Sequence, residues 1–144
     1  MRRGFTLVEM IVVLAVIGLA AAVSAPAFVE WSRDEAARAP ADPLIAVLET
    51  ARRTAAQRGQ RITVVVDPGT GQWRAWAGGD PADSVAAGVV ELPAGARLVA
   101  QGGRARYDFD PLGAAWGAPV RITGGGVELA VEVDRWTGDA RVAR

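Results

Sequence analysis

The chain opens with an apolar run from Gly4 to Phe28, GFTLVEMIVVLAVIGLAAAVSAPAF, in which Glu9 is the one charged residue. No charge interrupts it from Met10 to Phe28, and ~19 residues at ~1.5 Å per residue reach across a hydrocarbon core of ~30 Å. The pattern predicts a transmembrane helix. Arg2 and Arg3 precede the run and no basic residue follows before Arg33, a bias that puts the N-terminus in the cytoplasm and the C-terminal bulk outside.

Beyond the run, Glu30 to Arg38 is polar and compatible with helix, whereas Ala39-Pro40-Ala41-Asp42-Pro43 is not, because each Pro removes a donor and disfavours helix before it. Asp42 as N-cap and Pro43 as first helical residue then restart a helix. Leu44, Val47, Leu48, Ala51 and Ala55 follow at helical spacing and form one apolar stripe, to be laid on a sheet, with Gly59 as its C-terminal stop. Arg52, Arg53, Arg58 and Arg61 cluster at the helix end, where the dipole favours cations, and read as a solvated group.

After Gly59 the period changes from helix to strand. Arg61–Asp67 is β-branched, Pro68-Gly69-Thr70-Gly71 is a turn, and Gln72–Ala77 alternates, which together predict a hairpin. Strands are expected at Val89–Leu92 and Arg97–Ala100. In Arg104–Asp110, Tyr107 and Phe109 face one way and Arg106, Asp108 and Asp110 the other. Pro119–Thr123 is expected to pair back on that strand. Gly124–Gly126 turns the chain into Val127–Val133, the clearest alternation of all, and Asp134–Asp139 turns it into a closing strand at Ala140–Val142. The fold class is α+β, one long N-terminal helix followed by a helix packed on an antiparallel sheet.

Composition narrows what such a chain can do. The formal charge is zero and every basic residue is Arg, so no general field draws it to nucleic acid. There is no Cys and no His, which removes disulfides, Ser-His-Asp and Cys-His catalysis, and ordinary zinc sites. Asp108 with Asp110, or Asp134 with Asp139, could be paired carboxylates for hydrolysis or calcium ligands, yet turn and strand-face roles account for them better. Gly124–Gly126 lacks the Lys and the following helix of a phosphate loop. Trp31, Trp73, Trp76, Trp116 and Trp136 could stack on bases beside Arg104, Arg106, Arg121, Arg135 and Arg141, but acidic residues are interleaved throughout, so core or subunit-contact roles are favoured over base stacking. No catalytic residue, metal or cofactor is expected.

The front end supports two readings. A secretory signal would end at the small-x-small triplet Ala25-Pro26-Ala27 and be discarded. Against this, the apolar region is long and holds Glu9, and a charge at the centre of a membrane helix costs about 2.5–3.5 kcal/mol. Thr6-Leu7-Val8-Glu9 also fits a capping box, which explains a helix start but not the preceding Gly4-Phe5.

Met1–Glu9, MRRGFTLVE, resembles the type III signal of type IV pilins and type II secretion pseudopilins. The resemblance implies a cytoplasmic leader at 1–4, cleavage after Gly4 by a prepilin peptidase, methylation of the new amine on Phe5, and retention of 5–29 as a transmembrane and assembly helix. Residues 30–144 would be the periplasmic pilin-like domain. Glu9 would pair with the Phe5 amine of a neighbouring subunit, since buried charges persist when paired. Gly18 and Pro26 fall where the family has helix-loosening residues. The outer half resembles the H-type minor pseudopilins and the FimT-like group. The matching residues are Ala51-Arg52-Arg53 through Gly59-Gln60 into Ile62–Val66, Phe109-Asp110-Pro111-Leu112-Gly113, and Val131-Glu132-Val133 entering Thr137-Gly138. The implied function is a non-enzymatic subunit of a periplasmic pseudopilus for protein secretion. Its partners would be other pseudopilins or pilins, and its location the inner membrane. The alternative is a FimT-like minor type IV pilin in pilus assembly or DNA uptake, the one case in which nucleic acid would be a partner.

Overall fold

The computed structural model describes the backbone of residues 7–143 and the side chains of 7–22 and 35–143. The chain divides into two compact units, Met1–Ala37 and Arg38–Arg144. Most of the first is helix α1, Leu7–Arg38, which runs through Gly18 and Pro26 without a break. The membrane span expected over 5–29 extends past the described side chains at both ends. Residues 7–22 alone cover ~24 Å at ~1.5 Å per residue, less than a hydrocarbon core of ~30 Å. Among the described residues, no helix is long and apolar enough to cross a membrane.

The second unit opens on a 3-10 turn at Ala39–Ala41 and helix α2, Asp42–Arg58. The two prolines interrupt the α-helical pattern as expected. Asp42, however, is the first residue of α2 and makes no cap; Ala41 holds the N-cap position without a side-chain hydrogen bond. The reason is local. Ala41 is already right-handed, at φ −89° and ψ −18°, and the Asp42 N–H donates to the Ala39 carbonyl. Asp42 itself is right-handed, at φ −54° and ψ −42°, and so lacks the non-helical backbone of an N-cap. Gly59 ends the helix at φ 63°, its N–H reaching the Ala55 carbonyl, a backbone conformation that is costly for other residues.

Nine strands follow among the described residues. The expected hairpin is β1, Ile62–Val66, with β2, Gln72–Ala77, and next come β3, Ser84–Val89, and β4, Arg97–Ala100. The remaining five are β5, Ala105–Phe109; β6, Ala115–Gly117; β7, Val120–Gly124; β8, Val127–Val133; and β9, Ala140–Val142. They form two antiparallel sheets, in the orders β3-β2-β1-β5-β6 and β4-β7-β8-β9. Two expectations are corrected. The strand placed at Val89–Leu92 is instead β3, five residues earlier at its start, and Val90–Leu92 is irregular. Pro119–Thr123 does not pair back on β5; β6 does so, and β7 pairs with β4 and β8.

The core lies where α2 meets the first sheet. Leu44, Leu48, Ala51 and Ala55 are buried, and Val47 packs beside them. They face Ile62, Val64 and Val66 of β1 and Tyr107 and Phe109 of β5, whose alternation puts them on one face. Leu98, Val120, Ile122 and Val131 of the second sheet complete the same cluster. Fully burying each Leu or Ile stabilises by roughly 1.5–3 kcal/mol.

Tyr107 carries the largest fully buried side chain, and its hydroxyl has no hydrogen-bond partner among the described residues. Burial pushes its ionisation well above the ordinary phenol range. Its ring lies against Gly117, its partner in register, so closely that any Cβ there would collide with it. Tyr107→Phe should therefore leave stability unchanged or raise it by about 1 kcal/mol, because it removes an unsatisfied buried group. Gly117→Ala should cost about 1–3 kcal/mol through overpacking. Urea unfolding of both variants checks this pair, and a Tyr107→Phe protein destabilised by more than the Gly117→Ala one would contradict it.

Candidate functional site

Of the residues singled out in the N-terminal motif, Gly4 and Phe5 lie outside the described residues, as does Thr6 of the capping box. Glu9 stands in the first turn of α1, where a carboxylate complements the dipole. Every described side chain from Leu7 to Ala22 is exposed. Even the least exposed large ones, Val13 and Met10, are 45% and 47% accessible, and Leu7 reaches 75%. Glu9 is the single polar residue among them, so the helix has no apolar stripe and polar back; it is apolar on every side. Such a surface requires lipid or other helices around it. Gly18 leaves open space where a Cβ would stand, and the Pro26 side chain is outside the described set.

The basic cluster at the end of α2 is not one solvated group. Arg52 donates to Glu49 Oε2 at 3.2 Å and to the Thr137 carbonyl at 3.2 Å, and pairs with Asp139 at 3.1 Å. Glu49 Oε1 in turn accepts the Ala140 N–H at 3.0 Å. Two residues one helical turn apart thus fasten α2 to the turn between β8 and β9. The turn is itself fixed. Asp134 Oδ1 accepts the N–H groups of Trp136 and Thr137 at 2.9 and 3.0 Å, and these bonds hold its ionisation below the ordinary carboxylate range. Gly138, at φ 71°, sits so close to the Gly113 carbonyl and the Arg52 side chain that a Cβ would meet both. The neighbouring turns present Leu112 at 95% and Trp136 at 81% exposure.

The face of the first sheet turned away from α2 carries the remaining candidates. One cross-strand row reads Trp76, Thr63, Asp108, Trp116, and the next Arg74, Val65, Arg106. Asp108 accepts the buried Thr63 hydroxyl at 2.6 Å and a forked pair from Arg106 at 3.0 and 3.1 Å. Burial pushes its carboxyl up, but those hydrogen bonds and the charges of Arg106 and Arg61 outweigh it and hold the ionisation below the ordinary range. Asp110 accepts the Leu112 N–H. The two carboxylates are thus both committed to structural hydrogen bonds. Among the described residues no group of carboxylates gathers as a cation site. Arg61 lies 5.6 Å over the Trp116 ring. Of the described tryptophans, Trp73 alone packs against the core, Trp76 is half-buried, and Trp116 and Trp136 are exposed.

Two measurements follow from these contacts. Arg52→Ala should lower stability by about 1–2 kcal/mol, and Arg53→Ala, whose side chain among the described residues hydrogen-bonds to Thr50 alone, by no more than about 0.5 kcal/mol; equal effects in urea unfolding would refute the clamp. Because the folded Asp108 ionises below its unfolded value of about 3.9, its contribution is complete above that pH and is lost as pH falls through the folded value. Melting of Asp108→Asn should accordingly depend less steeply on pH in the acid range than that of the parent chain.

Comparison with curated proteins and with solved structures gives no match. Two family profiles match. That of the prokaryotic N-terminal methylation motif covers residues 1–25, and that of the type II transport protein GspH covers residues 41–138. The motif implies processing by a prepilin peptidase and assembly with other pilin-like proteins, and the GspH family is structural rather than enzymatic. The second match begins at the 3-10 turn and ends at Gly138, spanning α2, both sheets through β8 and the clamped turn. With an N-terminal methylation motif ahead of a helix packed on antiparallel sheets, the chain belongs to the GspH family of pilin-like type II transport proteins.

Proposed function

We propose that this chain is a minor pseudopilin built into a periplasmic pseudopilus, and that its N-terminal helix is both its membrane anchor and its assembly element. The observation that carries the reading is the described part of α1, apolar on every side with one carboxylate in its first turn, within a segment that matches the methylation motif. Residues 1–4 form the leader, 5–29 the transmembrane and assembly helix, and 30–144 the periplasmic domain. Cleavage after Gly4 frees an amine on Phe5, which is then methylated. On leaving the membrane for a bundle of like helices, the apolar surface exchanges lipid for neighbouring subunits. Glu9 pairs with the Phe5 amine of the next subunit, and an ion pair in a water-poor setting fixes one axial stagger. Gly18 and Pro26 weaken helix locally and let it adjust during that transfer.

The discriminating substitution is Glu9→Gln. It preserves the capping-box geometry, which accepts Gln as well as Glu, and removes the charge. If the pair drives assembly, the variant is processed normally but its share of the sedimenting filament fraction falls at least about tenfold, since breaking a buried pair costs about 3–5 kcal/mol. Wild-type incorporation of Glu9→Gln would leave Glu9 a cap and nothing more.

A further inference from the structure

Strand β3 is one edge of the five-stranded sheet, with β2 as its one strand neighbour among the described residues. Edges of this kind are normally blunted by charge, Pro or bulges, because their unpaired N–H and C=O groups template pairing with another chain. The other edges follow the rule: β4 begins at Arg97, β9 carries Arg141, and β6 is three residues long. By contrast β3 reads Ser84-Val85-Ala86-Ala87-Gly88-Val89, without charge or Pro, and is exposed at every position but Val85. Its one irregularity, a bulge in the pairing between Ala75 and Trp76, leaves Ala86–Val89 in regular register with β2. At Gly88 the Trp73 ring lies 3.0–3.2 Å from where a Cβ would be, so a side chain there would have to displace the ring slightly.

The surface beside this edge is basic. Ala87 stands opposite Arg74, and the row continues through Val65 to Arg106. Arg74, Arg104 and Arg106 line a cleft of about 610 Å³ with Trp76 and Pro81. Arg106 is held by Asp108, and the Asp67 carboxylate in the same cleft is turned onto the N–H groups of Gly69 and Thr70. The Arg74 and Arg104 side chains have no ion pair or hydrogen bond among the described residues. A residue on a strand added beyond β3 would stand about 10 Å from the Arg74 backbone. Only the Ala87 methyl lies between, so a carboxylate there can reach the guanidinium.

We propose that β3 accepts an extended strand from another polypeptide chain, one bearing carboxylates at alternate positions on its outward face, with Arg74 as the residue that reads them. The free backbone edge supplies affinity and Arg74 supplies selectivity, as in other strand-addition interfaces. The edge favours polypeptide over nucleic acid, which could use the cleft but not the row of backbone donors and acceptors. The strand edge is also independent of how the N-terminal helix is used.

Fluorescence anisotropy on the full chain in detergent micelles tests this with three labelled probes: a short peptide alternating Thr and Glu, its Thr–Gln counterpart, and oligo-dT. The acidic peptide should bind at least about tenfold more tightly than the neutral one and weaken with salt. Blocking its edge-facing amides by N-methylation should cost a similar factor, as should Arg74→Ser. Ala87→Glu, exposed and therefore harmless to folding by thermal melt, should abolish binding by placing like charge in the path. Absence of acidic-peptide binding, indifference to N-methylation, or tighter binding of oligo-dT would each overturn the proposal, the last by making the cleft a nucleic-acid surface.

Discussion

A helix that is apolar on all sides cannot be left in water, and that constraint governs how this chain exists. Over residues 7–22 no face of α1 is polar, and Glu9 is the sole charge. In a globular fold such a helix would be the centre of a core, yet here its side chains are exposed. Its surroundings must be supplied by lipid or by other helices. The same property that makes the isolated helix unfavourable makes assembly favourable.

The outer domain answers to a different constraint, the seating of one helix on one sheet. Four buried residues of α2 and the inward rows of β1 and β5 form the greater part of the core. The Glu49 and Arg52 contacts then tie the other side of the helix to the β8–β9 turn. Helix, first sheet and second sheet are thus locked through a helix of one and a half dozen residues or fewer, and the region matched by the GspH profile ends where that lock closes. The domain holds its form without Cys, and among the described residues without a cation cluster.

Periodic features were legible in the sequence. The stripe from Leu44 to Ala55, the hairpin across Pro68–Gly71 and the alternation about Tyr107 each carry their signal within a few residues, and each appears where expected. What could not be read depends on distant partners. Strand β3 is made of Ser, Ala, Gly and Val, a composition with weak strand preference, and it exists because β2 pairs with it and Trp73 covers Gly88. The division into two sheets turns on which neighbour β7 selects, which no local pattern encodes. Asp42 looked like a cap because caps are recognised by residue type; the preceding 3-10 turn had already brought its backbone into helical conformation, which an N-cap lacks. Arg52 looked like part of a charged helix end because Asp139 lies far along the chain. In the candidate site, the N-terminal motif was readable since its residues are contiguous, whereas the unmatched Arg74 and Arg104 share a cleft only after three strands align.

If the apolar helix is kept, the mature chain begins at Phe5. N-terminal sequencing with intact mass measurement of the protein recovered from membranes of cells that carry its prepilin peptidase decides whether it does. The recovered chain should lack residues 1–4, start at Phe5 and carry one added methyl group. A mature chain starting at Phe28, after Ala25-Pro26-Ala27, would mean that the helix is discarded as a secretory signal and would contradict its retention.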